Sequence, residues 1–193
     1  MSSGDPETRK KIMEATRYLV EKSQGKAVRL EDIARQAGVS RQAIYLHFGS
    51  RVGLLVATVQ YVDESSGFFE RTRHVREAED GLTALELFVA FWADYMPGIS
   101  NLAKVLQNAR DHDPAAAAAW DNRMDGLWRI CRYLASWIER DGRLDPVWTA
   151  DTAADFMSRT LLLTWESLVS ERGWSRSDYV DRLQHTFNRA FRK

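Results

Sequence analysis

The chain has 193 residues, 45% hydrophobic and 28% charged, enough to bury a real core in one or two domains. Its 27 basic and 27 acidic side chains balance to a formal net charge of zero, so overall charge alone gives no sign of a nucleic-acid partner. The single cysteine, Cys131, excludes an intrachain disulfide, and no apolar run approaches the roughly 20 residues of a membrane span.

The opening segment MSSGDPETRKK lacks the apolar stretch of a signal peptide, so a soluble, cytoplasmic protein is expected. Asp5-Pro6 predicts a first helix over about residues 6–23, with Ile12, Ala15, Thr16 and Leu19 inward and Gly25 as its stop. A second helix, LEDIARQA, runs into Gly38-Val39-Ser40, and a third, RQAIYLHF, follows at once. This is helix-turn-helix spacing, with Gly38 free to take the positive φ of the turn and Ser40 placed to cap the third helix. On that helix Ile44 and Phe48 share a face, with Val39 just before the cap, and should pack on Ile33, Ala34 and Ala37. Gln42, Ala43 and Leu46 project oppositely, and Arg41 and Tyr45 share a flank. An outward Leu46 suits a major groove, where Leu touches a thymine methyl and Gln an adenine edge. An ordinary helical hairpin with one exposed Leu is the alternative.

Charge is unevenly placed. Residues 1–55 hold ten Lys/Arg against six Asp/Glu, and residues 56–193 hold seventeen against twenty-one. A basic head on an acidic body is the footprint of a local phosphate-binding surface.

A fourth helix is predicted from near Ser50 to about residue 74. A fifth spans about 82–96 and ends at Pro97-Gly98; a short one covers about 100–110. Asp113-Pro114 opens a helix to about Arg140, and Asp145-Pro146 another to about Arg172. Ser175 and Asp178 have capping-box spacing and open the last, to about Phe191. No stretch alternates as a strand would, and no Gly/Ser/Pro-rich linker divides the chain. The expectation is an all-α protein of about nine helices: a three-helix DNA-binding domain at 1–50 and a helical body at 51–193.

All seven tryptophans lie after residue 90. Aromatic and Met side chains recur at helical spacing around Trp92, Tyr95 and Met96, and around Met124 and Trp128, a pattern that plain core packing also produces. Phe156, Thr160, Leu161, Thr164, Trp165 and Leu168 form a broad stripe, and Tyr179, Leu183, Phe187 and Phe191 recur every four residues. Both stripes fit either an assembly surface or the chain's own core.

Nothing points to catalysis. His47, His74, His112 and His185 are scattered without metal-ligand spacing, and there is no Gly-rich phosphate loop. Asp111-His112-Asp113 reads as a loop before a helix cap, and Cys131 as a buried thiol. No enzyme activity, cofactor or metal is expected.

The run GVSRQAIYLHFGSRVGLL resembles the signature of the TetR family of bacterial transcriptional regulators. The family's Gly-Val-Ser opening falls on Gly38-Val39-Ser40, its closing aromatic run on Tyr45-Leu46-His47-Phe48, and its following basic residue on Arg51. Ile33, Ala34 and Ala37 match the helix upstream. The chain departs from the family in two places. Arg29 stands where Thr or Ser is common near the start of the helix before the turn, and Arg51 replaces the usual Lys. The specific likeness covers about the first quarter of the chain.

The resemblance implies a homodimer on a palindromic double-stranded DNA operator, released by a small-molecule effector. It implies DNA contacts from Arg29, Ser40, Arg41, Gln42, Ala43, Tyr45, Leu46, His47 and Arg51. A lipophilic or aromatic ligand would meet Trp92, Tyr95, Met96, Met124, Trp128, Phe156 and Trp165. Pairing of the last two helices into a four-helix bundle would use Leu161, Leu168, Tyr179, Leu183 and Phe187. Rival readings are a helical ligand-binding protein, a nonspecific DNA-binder without operator control, and, least in keeping with the residues, an enzyme.

Overall fold

Asp5 caps the first helix as the Asp-Pro pair predicts, its carboxylate accepting from the backbone N–H groups of Glu7 and Thr8, each at 3.2 Å. The computed structural model describes residues 5–193. Helix α1 spans Pro6–Lys22, α2 Leu30–Ala37, α3 Arg41–Phe48 and α4 Arg51–Ser65. Two single turns, α5 (Phe68–Arg71) and α6 (Arg73–Arg76), precede the long helices α7 (Gly81–Ala109) and α8 (Pro114–Arg140). Helix α9 (Ala150–Thr164) runs on as a π-helical segment, Trp165–Glu171, and α10 covers Arg176–Phe191. The fold is all-α; apart from one isolated bridge between Leu144 and Arg192, no β-pairing occurs among the described residues.

Three boundaries differ from the sequence expectation. Helix α4 stops at Ser65 instead of near residue 74, because Gly67 takes a left-handed φ of 67° and the Ser65 and Ser66 hydroxyls donate to the carbonyls of Val62 and Asp63. Pro97-Gly98 does not end a helix: α7 runs through both. A Pro inside a helix costs about 3 kcal/mol, but Tyr95, Met96, Ile99 and Leu102 around it are all buried, each worth roughly 1.5–3 kcal/mol. Asp145-Pro146 starts a turn rather than a helix, with the N–H of Val147 on the Asp145 carboxylate and that of Trp148 on its carbonyl, both at 2.9 Å. The cap of α9 is Thr149, in a reciprocal box with Thr152.

The π-helical segment follows side-chain donors that compete for the preceding carbonyls. The Thr164 hydroxyl donates to Thr160 O at 2.5 Å, and Leu161 O accepts from Trp92 Nε1 at 3.2 Å and from the Tyr179 hydroxyl at 3.3 Å.

The chain divides into two compact units. One comprises the described residues up to Ser66 with Gly98–Asp121; the other comprises Gly67–Pro97 with Asn122–Lys193. Helices α7 and α8 each contribute residues to both, so the division is not a single cut along the sequence. In the first unit Ile12, Met13, Leu30, Ile33, Ile44 and Leu54 form the core, flanked by Val39, Ala37 and Phe48 as the helix-turn-helix pattern requires. In the second, Phe88, Leu134, Ile138, Met157, Tyr179 and Phe187 are among the largest fully buried side chains.

Candidate functional site

The turn between α2 and α3 is made as its residues dictate. Gly38 sits at φ 68°, and Ser40 accepts the N–H of Ala43 at 3.1 Å. Ile44 is the buried residue of α3, and Val39 and Phe48 pack beside it. The opposite face is open: Leu46 is 81% exposed, Gln42 is exposed and Ala43 half-buried. A single exposed apolar side chain is ordinary on a protein surface; this one stands on a helix fixed by the Ser40 cap and the Ile44 anchor.

Arg41 opens α3. Its guanidinium pairs with Glu31 at 2.6 Å, donates to the Tyr45 hydroxyl at 3.3 Å, and lies 5.6 Å from the Tyr45 ring centre. The Tyr45 hydroxyl, and then the Glu31 carboxylate, hold Arg41 charged beyond its ordinary range. His47 is half-buried, with its ring 6.0 Å from that of Phe48. Arg51 is exposed as the first residue of α4, beside Ser50, whose hydroxyl accepts the N–H of Gly53 at 2.9 Å. Arg29 is exposed at the cap position of α2 and makes no side-chain cap bond.

The structure thus gathers Ser40, Arg41, Gln42, Ala43, Tyr45, Leu46 and His47 on one eight-residue helix and its cap. Sequence reasoning missed three supports of that helix. Arg9 reaches it from α1, Glu31 pairs with Arg41, and Gly53 lets α4 start against it: a Cβ there would stand 2.2 Å from Phe48 O. The Gly-x-x-x-Gly spacing of Gly49 and Gly53 was the available signal for the last; the pairings of Arg9 and Glu31 cross 38 and 10 residues and left none.

In the second unit Trp92 and Tyr95 lie together, ring centres 6.1 Å apart, in a cluster with Phe68, Phe88 and Phe91. Met96 is buried on the same helix. Arg123 donates to the Tyr95 hydroxyl. Trp165 is buried edge-on to Tyr179, 5.1 Å between centres. Burial pushes the Tyr179 hydroxyl up to about 12. Met124 and Trp128 line a separate small recess of about 100 Å³ with Leu127, Asp155, Ser158 and Leu162, and Trp128 Nε1 donates to Asp155 at 2.8 Å. Phe156 stands elsewhere, 39% exposed, among Trp148, Phe187 and Phe191. No described recess is lined by all seven expected ligand residues.

Of the residues expected at a dimer interface, Leu161, Tyr179, Leu183 and Phe187 are buried within the chain itself, and Leu168 is half-buried. The four-residue repeat of α10 faces inward, as do Leu161 and Trp165 of the α9 stripe, whereas Phe156 of that stripe is exposed and Thr160, Thr164 and Leu168 are half-buried. The outward side of α9 carries Leu163, 66% exposed, with Phe156 one heptad before it.

Cys131 is fully buried, and burial pushes its thiol far above the range of a nucleophile. Asp113 caps α8 through the N–H groups of Ala115 and Ala116. Among the described residues no group of three His, Cys, Asp or Glu side chains could hold a metal ion. No described helix is long and apolar enough to cross a membrane.

Fold and surface together define a class: an all-helical DNA-binding regulator fold of helix-turn-helix type. Residues 12–58 match the model of the family described as "Bacterial regulatory proteins, tetR family". A nucleoid occlusion factor, SlmA, from Marinomonas sp. (strain MWYL1) is 29% identical over 105 residues, 53% of each chain. The transcriptional regulator AlkX of Mycobacterium tuberculosis is 48% identical over 46 residues, 24% of this chain and 22% of that one. The chain spans about half the length, or less, of these curated relatives. The crystal structure of FadR from Bacillus subtilis in complex with stearoyl-CoA shares the fold, with a TM-score of 0.77 at 17% identity over 94% of this chain and 98% of that one. The chain carries the DNA-binding module and the fold of the TetR family of bacterial transcriptional regulators.

Proposed function

We propose that this chain is a sequence-specific transcriptional repressor that binds a palindromic operator as a homodimer and leaves it when a small lipophilic or aromatic ligand binds the body. The observation that carries the reading is the face of α3: Gln42 and the bare Leu46 on a helix whose other side is anchored by Ile44. Gln42 would read an adenine edge and Leu46 a thymine methyl, while Tyr45, Arg51 and Arg29 hold the sugar–phosphate backbone. Functionally, residues 1–50 read DNA and residues 51–193 bind ligand and partner.

For the ligand, the support is the cluster around Trp92 and Tyr95 with Met96 beside it. The separate recess beside Met124 and Trp128, about 100 Å³, is smaller than the roughly 300–1,000 Å³ of sites for drug-sized molecules, so a ligand there requires side chains to move. A ligand that favours the moved arrangement lowers DNA affinity by its differential binding energy. A coupling of ~1–3 kcal/mol corresponds to a roughly five- to 150-fold change. For the dimer, burial of Leu161 and Phe187 directs pairing to the outward sides of α9 and α10.

A titration tests the whole reading. Aromatic compounds, acyl chains and cationic drugs are added to the protein with tryptophan emission and DNA affinity followed together. Quenching and DNA release that saturate at one concentration support it. A panel that leaves both unchanged removes the ligand part and leaves DNA binding standing. The likeness to a nucleoid occlusion factor, which at 105 residues is longer than the family match over residues 12–58, supports a second reading: a DNA-binder without operator control. That reading predicts DNA affinity indifferent to every ligand.

A further inference from the structure

We infer that Arg9 is a positioning residue for sequence reading, a clamp on the carboxy-terminal end of the recognition helix. The inference rests on the DNA-reading role proposed above. Helix α3 has eight residues, too few to be stable alone, and a single fully buried side chain, Ile44. Its end must therefore be held from outside. The Tyr45 carbonyl accepts the N–H of Gly49 at 2.9 Å, and the Phe48 carbonyl accepts that of Ser50 at 2.8 Å. Between them the His47 carbonyl accepts from Arg9 Nη1 at 2.6 Å.

The same guanidinium lies over the Phe48 ring, 4.4 Å from its centre. Arg9 thus binds the last turn twice, through a charge-assisted hydrogen bond and through a ring face, and its charge faces the negative end of the helix dipole. No carboxylate pairs with Arg9 among the described ion pairs, so the helix end is its principal described partner. Arg9 stands on α1, whose Ile12 and Met13 enter the core with Ile44. The clamp therefore ties the reading helix to the most buried part of its own unit.

Position along α3 sets what the clamp controls. Leu46 immediately precedes the clamped residue, whereas Gln42 sits a turn earlier, beside the Ser40 cap. Loss of the clamp frays the last turn and displaces Leu46 first. Arg9 is half-buried and contributes through α3, so its loss should leave phosphate contacts in place.

The test compares wild type, Arg9→Ala and Arg9→Lys on two duplexes, one enriched from a random pool by the wild-type protein and a scrambled version of it. Arg9→Ala should lose about tenfold on the enriched duplex and change little on the scrambled one. The salt dependence should keep its slope. A new enrichment with Arg9→Ala should show flattened preference at the base next to Leu46 and retained preference at the base read by Gln42. Arg9→Lys keeps a donor for the His47 carbonyl but loses the planar stack, so it should recover part of the loss. If Arg9→Ala does not fold, Arg9→Lys carries the comparison, with a smaller loss confined to the enriched duplex. Equal loss on both duplexes, with a slope shallower by about one, would make Arg9 a phosphate contact and overturn the inference. An unchanged ratio overturns it as well. A wild-type protein that enriches no sequence defeats the DNA-reading proposal, and this inference falls with it.

Discussion

Gln42 and Arg51 separate the two kinds of DNA contact at the residue scale. Gln42→Ala should cost ~1–3 kcal/mol on the operator and little on random DNA, as loss of a bidentate base contact does. Arg51→Ala should weaken all sequences alike and reduce the salt slope by about one, read from binding isotherms at several salt concentrations. Equal losses for Gln42→Ala on both DNAs would reassign it to the backbone. Glu31 adds a third case. Its carboxylate neutralises Arg41 at 2.6 Å on the side of the unit that bears α3, so Glu31→Gln should raise affinity for random DNA and steepen its salt dependence. Affinity unchanged by that substitution would mean that Arg41 does not face the duplex. The face of α3 was legible because 3.6-residue periodicity assigns Ile44 inward and Leu46 outward without reference to anything else. The Arg9 clamp and the Glu31 pair were not legible, because each depends on how separate helices cross.

At the scale of elements, local chemistry set the caps, and tertiary burial overrode it elsewhere. Asp5, Ser40, Asp113 and Ser175 cap where the sequence predicts. Pro97 failed as a stop because the side chains on both sides of it are buried, and Asp145-Pro146 failed as a start because Trp148 Nε1 is drawn to Ala190 O at 2.7 Å. The π-helical segment left no trace in periodicity, since Trp92 and Tyr179, from other helices, donate to the Leu161 carbonyl just before it. The junction of α3 and α4 gives a direct check. Gly53→Ala pushes a Cβ to 2.2 Å from Phe48 O, a backbone atom, and should cost about 1–3 kcal/mol in a denaturant melt. A melt unchanged by the substitution would mean the junction is looser than its geometry. Asp94 ties α7 to α10 through Arg176, whose hydrogen bond holds the carboxyl below its ordinary range. A carboxyl with a lowered folded-state value stabilises above its unfolded value, and that stability is lost as pH falls through the folded one. Wild type should therefore lose more stability than Asp94→Asn between about pH 5 and about pH 2, followed by thermal melting.

At the scale of the molecule, the fold class was plain from the caps and periodicity of about nine helical segments, but the assignment of faces in the body was not. A repeat of apolar residues every four positions fixes which side of α10 is apolar; it does not say whether that side meets the same chain or another. Phe187 and Leu161 proved to be core, and Leu163 is the bare apolar residue of α9. Phe187→Asp should therefore unfold the second unit, seen as lost circular dichroism. Leu163→Asp should keep the helical signal and shift sedimentation from dimer to monomer. A folded Leu163→Asp protein that stays dimeric would place the pairing surface elsewhere.

The central claim is that α3 reads base sequence. The most direct measurement is enrichment of duplexes from a random pool by the wild-type protein, followed by affinities for the enriched duplex and its scrambled version. The account predicts an inverted repeat whose half-sites lie about one helical turn, or a small multiple, apart, bound roughly 10³-fold or more tighter than the scrambled duplex. Enrichment of no sequence, with equal affinity for both duplexes, would contradict it.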